Sequence, residues 1–181
     1  MKKILMITLV VCLGITANAQ FKSGTLQAAG LTCAMCTKAI NETLKELSFI
    51  QSVKADIKNS QFVVRFKEGA TVDPDALKKA VEDAGFSIAK LKLALDFENV
   101  KVDNDSHVQI GNKTYHFLDV TSQRLDGEKT ITFVDKNFVV AKEFKKYSNK
   151  TQMTCVQSGK AEGCCKKEGA AENARIYHVT I

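Results

Sequence analysis

The stretch AAGLTCAMCTKAI, residues 28–40, places two cysteines three positions apart at the start of an amphipathic segment. Thr25–Ala29, which runs into the beginning of this stretch, alternates between apolar and polar residues and predicts a short strand. From Cys36 onward the chain has a helical stripe of apolar side chains, namely Cys36, Ile40, Leu44 and Leu47. The stretch therefore predicts a strand, a loop that holds Cys33, and a helix with Cys36 in its first turn.

Four further elements follow in a regular order. Residues 52–58 and 61–66 alternate in hydropathy around Asn59-Ser60, which predicts a β-hairpin. Asp73 as N-cap, Pro74 as first helical residue and Gly85 as the terminator predict a second helix. Residues 88–95 alternate again and predict a last strand. The order βαββαβ predicts a ferredoxin-like α+β sandwich over residues 20–95.

Residues 96–181 have a different pattern, dominated by short alternating segments. Turn signals at Gly111-Asn112 and Asp126-Gly127 separate some of them, and further strands are predicted at 138–141 and 175–181. Residues 148–174 are polar and without periodicity, which predicts a long loop. We therefore predict a second, small and mostly β domain over 96–181, with an OB-like or other small barrel as one candidate.

The first 19 residues have the pattern of a secretory signal peptide. Lys2 and Lys3 precede the apolar run Ile4–Ile15, and Ala17-Asn18-Ala19 is a small-x-small cleavage site. A lipoprotein signal through Cys12 fits less well, because Val11 stands where a small residue is usual. We expect cleavage after Ala19 and a periplasmic or secreted product that is not embedded in a membrane, since no later segment is long and apolar enough to span one.

Charge and cysteine content narrow the functional classes. The formal charge of +6 becomes +4 once Lys2 and Lys3 are removed, because residues 1–19 contain no acid. The chain has no arginine-rich stripe with interleaved aromatic residues, which argues against nucleic-acid binding. Five cysteines remain after residue 19, so at least one cannot pair within the chain.

The spacing of Cys33 and Cys36 favours a soft metal ion. The start of a helix stabilises thiolates through its unpaired backbone N–H groups and dipole. Two thiolates suit an ion that accepts two ligands, with Cu(I) favoured over Hg(II) and Ag(I). Zn(II) is less suitable, because it normally takes four ligands and no second cysteine pair occurs in this segment.

The motif GLTCAMC after the first strand, with DAGF before the last, resembles the heavy-metal-associated domain family. That family includes copper chaperones, modules of copper-transporting ATPases and the periplasmic mercury-binding protein. The resemblance covers residues 24–95. It implies that Cys33 and Cys36 bind one ion and pass it to a metal transporter or another carrier by ligand exchange, without enzymatic catalysis. The family usually has methionine where Leu31 stands, a core position where leucine should be tolerated. Phe86 corresponds to the residue that shields the site.

Other roles for the two cysteines stay open. They could form a structural disulfide, serve a periplasmic thiol–disulfide oxidoreductase, or belong to a mercury scavenger. The redox role is weakened because the chain has no tryptophan and its single proline, Pro74, is used to start a helix.

The C-terminal loop contains a second group of sulfur residues: Met153, Cys155, Cys164 and Cys165. They could form a second soft-metal site, or Cys155 could form a disulfide with Cys164 or Cys165. The three histidines, His107, His116 and His178, lie in separate β segments among apolar residues. We interpret them as packed or surface residues rather than metal ligands.

Overall fold

The computed structural model describes residues 20–31, 33–166, 171 and 173–181. The predicted signal peptide, residues 1–19, lies outside this part of the chain. The elements, in chain order, are β1 Phe21–Ala29, α1 Ala34–Lys45, β2 Ile50–Asp56, β3 Gln61–Phe66, α2 Pro74–Asp83, β4 Ser87–Val102, β5 His107–Ile110, β6 Lys113–Phe117, β7 Gln123–Phe133, α3 Ala141–Ser148, α4 Cys155–Ser158, α5 Gly163–Lys166 and β8 Ile176–Thr180. The strands form a single sheet in the order β2-β3-β1-β4-β7-β8-β6-β5.

The first six elements have the predicted βαββαβ order. Strands β2, β3, β1 and β4 are neighbours in antiparallel pairs. Asp73 caps α2 by accepting a hydrogen bond from the Asp75 N–H at 3.2 Å, and Pro74 is the first helical residue, as predicted. Each helix buries one apolar stripe in the main core, contributed by Ile40, Leu44, Leu77, Ala80 and Val81. The amphipathic spacing of the sequence therefore places both helices on the sheet.

Strand β4 extends beyond the boundary drawn from the sequence between residues 95 and 96. It pairs with β1 along Ser87–Leu95 and with β7 from Lys92 to Val102. A cut at this point would fall inside a strand, so the two predicted segments share one continuous sheet. The physical reason is that the alternation continues through Phe97, which is buried, and resumes at Val102 after a bulge.

The C-terminal segment matches the predicted β content only in part. The hairpin of β5 and β6 around Gly111-Asn112 is confirmed. Gly127, by contrast, lies within β7 at φ +67°, opposite the bulge in β4, rather than in a hairpin turn. Residues 138–141 are not a strand, because Phe138 and Val139 are both buried and Ala141 begins α3. The described strands form an open sheet, so the barrel interpretation was wrong.

The predicted loop over residues 148–174 contains short regular elements. Its described part includes the end of α3 together with α4 and α5, and Lys160 forms a β-bridge with Arg175. A small buried cluster of Cys155, Ala161, Cys165 and Ile176 connects these turns to β8. Within the described residues, every helix is too short or too polar to cross a membrane.

Candidate metal centres

Cys33 and Cys36 lie at the beginning of α1, where the sequence predicted them. Gly30, with φ +73°, turns the chain away from the end of β1. Cys33 is the N-cap residue with extended backbone, and its Sγ accepts a hydrogen bond from the Cys36 N–H at 3.2 Å. The peptide dipoles of α1 point their positive end at both sulfurs, which favours the thiolate form after reduction.

The surface around the pair is open and partly apolar. Cys33 is exposed and Cys36 is half-buried. Met35, between them, is 75% exposed, and Ile57 on the neighbouring loop is 78% exposed. A hollow of about 250 Å³ beside Cys33 includes Asp56, whose pKa is lowered by hydrogen bonds from the Asn59 side chain and backbone. A partner could therefore approach the sulfurs directly, across a surface that carries one carboxylate.

In this structure Cys33 and Cys36 are joined by a disulfide bond, with their Cα atoms 5.3 Å apart. A disulfide sulfur is not the thiolate that binds soft metal ions. Two electrons and two protons, supplied by a thiol reductant, convert the pair to two thiols. Deprotonation of these thiols then gives the dithiolate. The structure thus presents the oxidised form of the pair, with both sulfurs on the same side of the first helical turn.

Leu31 and Phe86, the two further residues that the resemblance singled out, both pack against the main core. Leu31 is half-buried and packs against the main core, in agreement with its predicted packing role. Phe86 is also half-buried against this core and precedes Ser87, which pairs with Ala29 at the end of β1. Because β4 begins opposite the end of β1, Phe86 lies at the same end of the sheet as the cysteine loop.

The structure brings together three of the four sulfur residues predicted as a second site. Cys155 and Cys165 are fully buried in one cluster, and Met153 packs against it. The side chain of Cys164 is outside the described part of the chain. A soft-metal site formed by the four residues stays a prediction.

Three residues whose proximity the sequence did not predict lie together beside this cluster. His107 and His116 face each other across the β5–β6 hairpin, and their rings stack with centroids 4.3 Å apart. The Sγ of Cys155 lies 3.5 Å from Nδ1 of His116. One donor atom from each of these three residues lies within 4.8 Å of the others. The interpretation of His107 and His116 as separate packing residues was incomplete. The sequence does contain a signal for this contact. The predicted turn at Gly111-Asn112 is equally far along the chain from both histidines, so an antiparallel hairpin around it places them opposite each other.

The environment of His116 keeps its imidazole neutral. The side chain is fully buried, and burial, with smaller contributions from His178 and His107, lowers the pKa of His116 to about 2. Its Nε2 lies 3.1 Å from Oδ1 of Asp105, which as a carboxylate can only accept a hydrogen bond. Nε2 therefore carries the proton, and the lone pair of Nδ1 points to the sulfur of Cys155.

His178 lies next to His116 but is held by a different partner. The two ring centroids are 5.1 Å apart. Nδ1 of His178 lies 2.8 Å from Oδ1 of buried Asp135, whose other oxygen accepts the His178 backbone N–H at 2.9 Å. This pair fixes the ring of His178 through β8, and His178 does not belong to the three-residue group.

Comparison with known proteins identifies the N-terminal segment. The model of the heavy-metal-associated domain matches residues 25–87, a range that contains both Cys33 and Cys36. Residues 25–87 are a heavy-metal-associated domain.

Relatives with this domain include transport ATPases. The chain is 28% identical over 74 residues to a probable copper-exporting P-type ATPase of Archaeoglobus fulgidus, which covers 41% of this chain. It is 29% identical over 99 residues, or 51% of this chain, to the cation-transporting ATPase HMA5 of Oryza sativa subsp. japonica. The matched segment spans only 9% of the length of each relative.

Solved structures of small metal-binding proteins are also similar to this segment. The CopZ metallochaperone is 24% identical, with 37% of this chain and 98% of that chain covered and a TM-score of 0.34. The yeast copper transporter domain Ccc2a is 28% identical, with 36% of this chain and 88% of that chain covered and a TM-score of 0.32.

Proposed function

We propose that this protein binds Cu(I) between the reduced thiolates of Cys33 and Cys36 and passes it to a partner by ligand exchange. The observation that carries the proposal is the position of both cysteines at the exposed start of α1, within a heavy-metal-associated domain. Two thiolates, in a segment whose sequence from residue 20 to 95 contains no other cysteine, suit a soft ion of low coordination number. The relative named as a copper-exporting ATPase supports copper as the cargo.

The transfer chemistry requires no change in the oxidation state of the ion. After reduction of the disulfide, the two thiolates hold the ion in a nearly linear arrangement. A thiolate or thioether of the partner adds to give three-coordinate metal, and Cys33 or Cys36 then leaves. The exposed Met35 and Ile57 offer apolar contacts to the partner at this step. The ion is thus transferred without release into water, and no covalent catalysis is involved.

The proposal includes a location and a class of partner. The signal-peptide pattern of residues 1–19 supports a periplasmic or secreted site of action. The partner is a membrane metal transporter, another metal-carrying protein, or the C-terminal cysteines of this chain. The matched segment is a small part of each curated relative. The activity of those relatives as whole proteins is therefore not assigned to this chain.

An anaerobic Cu(I) titration of reduced residues 20–181 against a chromogenic Cu(I) chelator tests the proposal. We expect one tight equivalent in the wild-type protein and loss of this site in Cys33→Ser/Cys36→Ser. Cys155→Ser is the matched control and should retain the tight site. Retention in the double variant with loss in Cys155→Ser would place the main site in the C-terminal segment and overturn the proposal.

A thiol–disulfide oxidoreductase is the second candidate, and the exposed Cys33–Cys36 disulfide favours it. Catalysed reduction of insulin by the reduced protein, abolished in Cys33→Ser/Cys36→Ser, would support this function over metal transfer. A mercury scavenger would use the same two thiolates. Competition between Hg(II) and Cu(I) in the reduced protein compares the two cargoes.

A further inference from the structure

We propose that His107, His116 and Cys155 form a second metal site, which binds one divalent transition-metal ion independently of Cys33 and Cys36. The three residues come from β5, β6 and α4, and their donor atoms converge within 4.8 Å in the described structure. No sulfur of the heavy-metal-associated domain takes part. The site is therefore expected to function when Cys33 and Cys36 are oxidised or replaced.

The distance between the two buried donors matches tetrahedral coordination. Metal–sulfur and metal–imidazole bonds are about 2.3 and 2.0 Å long, so a tetrahedral angle places the two donor atoms about 3.5 Å apart. The Sγ of Cys155 and Nδ1 of His116 are separated by 3.5 Å. An ion could bind both atoms without movement of either element, whereas the His107 ring, which stacks on His116 with centroids 4.3 Å apart, has to rotate out of the stack to supply the third ligand.

The surroundings orient the ligands before a metal arrives. Asp105 accepts a hydrogen bond from the Nε2–H of His116 and leaves Nδ1 as the metal-binding nitrogen. A carboxylate behind a ligating histidine is the usual arrangement at metal sites, where its loss weakens binding about 10- to 100-fold. The hairpin register holds His107 against His116. His107 is half-buried, so the group reaches the protein surface at this residue.

The donor set and the charge balance favour a divalent ion. One thiolate with two imidazoles is less soft than the dithiolate of the first site and suits Zn(II) and its neighbours in the first transition series. The thiolate and the Asp105 carboxylate together supply two negative charges. A divalent ion neutralises both, whereas Cu(I) would leave one negative charge in a buried site. Three protein ligands leave a fourth position open.

Co(II) titration of residues 20–181 carrying Cys33→Ser/Cys36→Ser tests the site, because Co(II) replaces Zn(II) and absorbs visibly. We expect one equivalent with a thiolate-to-cobalt charge-transfer band and the strong visible bands of four-coordinate cobalt. Zn(II) should displace it stoichiometrically. X-ray absorption of the Zn(II)-loaded protein should show one sulfur at about 2.3 Å and imidazole scattering, a measurement that needs no substitution at the site.

Substitutions in the same background then assign the ligands. Cys155→Ser should remove the charge-transfer band, His107→Gln should weaken Co(II) binding at least tenfold, and Asp105→Asn should weaken it about tenfold without removing the band. Cys165→Ser is the matched control and should retain the site, and far-UV circular dichroism verifies that each variant folds.

Three results would overturn the proposal. They are the absence of a thiolate band in the folded protein, a band that survives Cys155→Ser, and a band lost in Cys165→Ser but unchanged in His107→Gln. Failure of Cu(I) binding at Cys33 and Cys36 would leave this site unaffected, so the two proposals are tested separately.

Discussion

Protonation of His116 is unfavourable in the folded state. Its imidazole is fully buried beside His107, His178 and the thiol of Cys155, with Asp105 at its Nε2. An unfolded chain binds a proton at this side chain near pH 6.5, whereas the folded protein does so only near its lowered pKa of about 2. Between these values the unfolded state binds more protons, so the stabilising contribution is present above pH 6.5 and is lost as the pH falls.

We therefore predict that metal-free protein loses stability in mild acid because of His116. This residue should lower the free energy of unfolding by up to about 1.4 kcal/mol for each pH unit below 6.5. The decrease is smaller to the extent that the Asp105 carboxylate stabilises the protonated ring. Urea unfolding between about pH 7.5 and pH 5 measures the slope. His116→Gln should flatten it, and parallel curves for the two proteins would contradict the assignment.

The two candidate sites differ in how far residue patterns could predict them. Cys33 and Cys36 are three residues apart at a helix start, so local spacing alone placed their sulfurs on one side of a turn. Cys155 is 39 residues from His116 and reaches it only because β6 pairs with β8 and α4 packs against β8. Contacts of this kind depend on tertiary structure, which periodicity does not contain.

Strand β1 lies in the middle of the domain sheet and contains a glycine that the packing requires. Gly24 pairs with Val64 of β3 and Leu93 of β4. A Cβ at this position would lie 2.5 Å from Cδ2 of Leu93 and 3.0 Å from the backbone oxygen of Lys92. The leucine side chain can move, but the backbone oxygen belongs to the β4 ladder and cannot move without disturbing it.

Gly24→Ala should therefore destabilise the protein. Overpacking in a core costs about 1–3 kcal/mol, which exceeds the gain of about 0.4–1 kcal/mol from a less flexible unfolded chain. The matched control is Gly163→Ala, since a Cβ there meets no atom within 4 Å, and its effect should stay within about 0.5 kcal/mol. Equal free energies of unfolding for the wild type and both variants would show that β1 tolerates the added methyl group.

Helices and strands were predicted correctly where buried and exposed residues recur at a regular spacing without interruption. Residues 61–66 alternate strictly, and α2 has both an N-cap and a terminating glycine. Strand β4 was predicted too short because exposed Glu98 and Asn99 interrupt its alternation at the bulge. The sequence predicts 138–141 as one of the short alternating strands, but Phe138 and Val139 are buried side by side and follow a turn from Asp135.

At the scale of the whole molecule, the N- and C-terminal segments share one core. The main cluster includes Phe21 and Leu95 from one segment together with Phe97, Tyr115 and Tyr177 from the other. Arg175 adds a polar connection, with its guanidinium 3.2 Å from Asp75 of α2 and 3.3 Å from buried Asp135. Its side chain also lies over the ring of Tyr177 at 4.3 Å. These contacts oppose independent unfolding of either segment.

We predict that the chain from residue 20 to 181 unfolds in a single cooperative transition. All three tyrosines, Tyr115, Tyr147 and Tyr177, lie in the C-terminal segment, and the sequence has no tryptophan. Phe49→Trp would add a fluorescent probe at the edge of the N-terminal core. The ring centroids of Phe49 and Phe66 are 6.1 Å apart there. Tryptophan and tyrosine signals should then change at the same urea concentration, because β4 cannot lose β7 without exposing Leu95 and Phe97 to water. Two separate midpoints would instead show that the sheet divides at β4 and that the heavy-metal-associated domain is stable without its C-terminal neighbour.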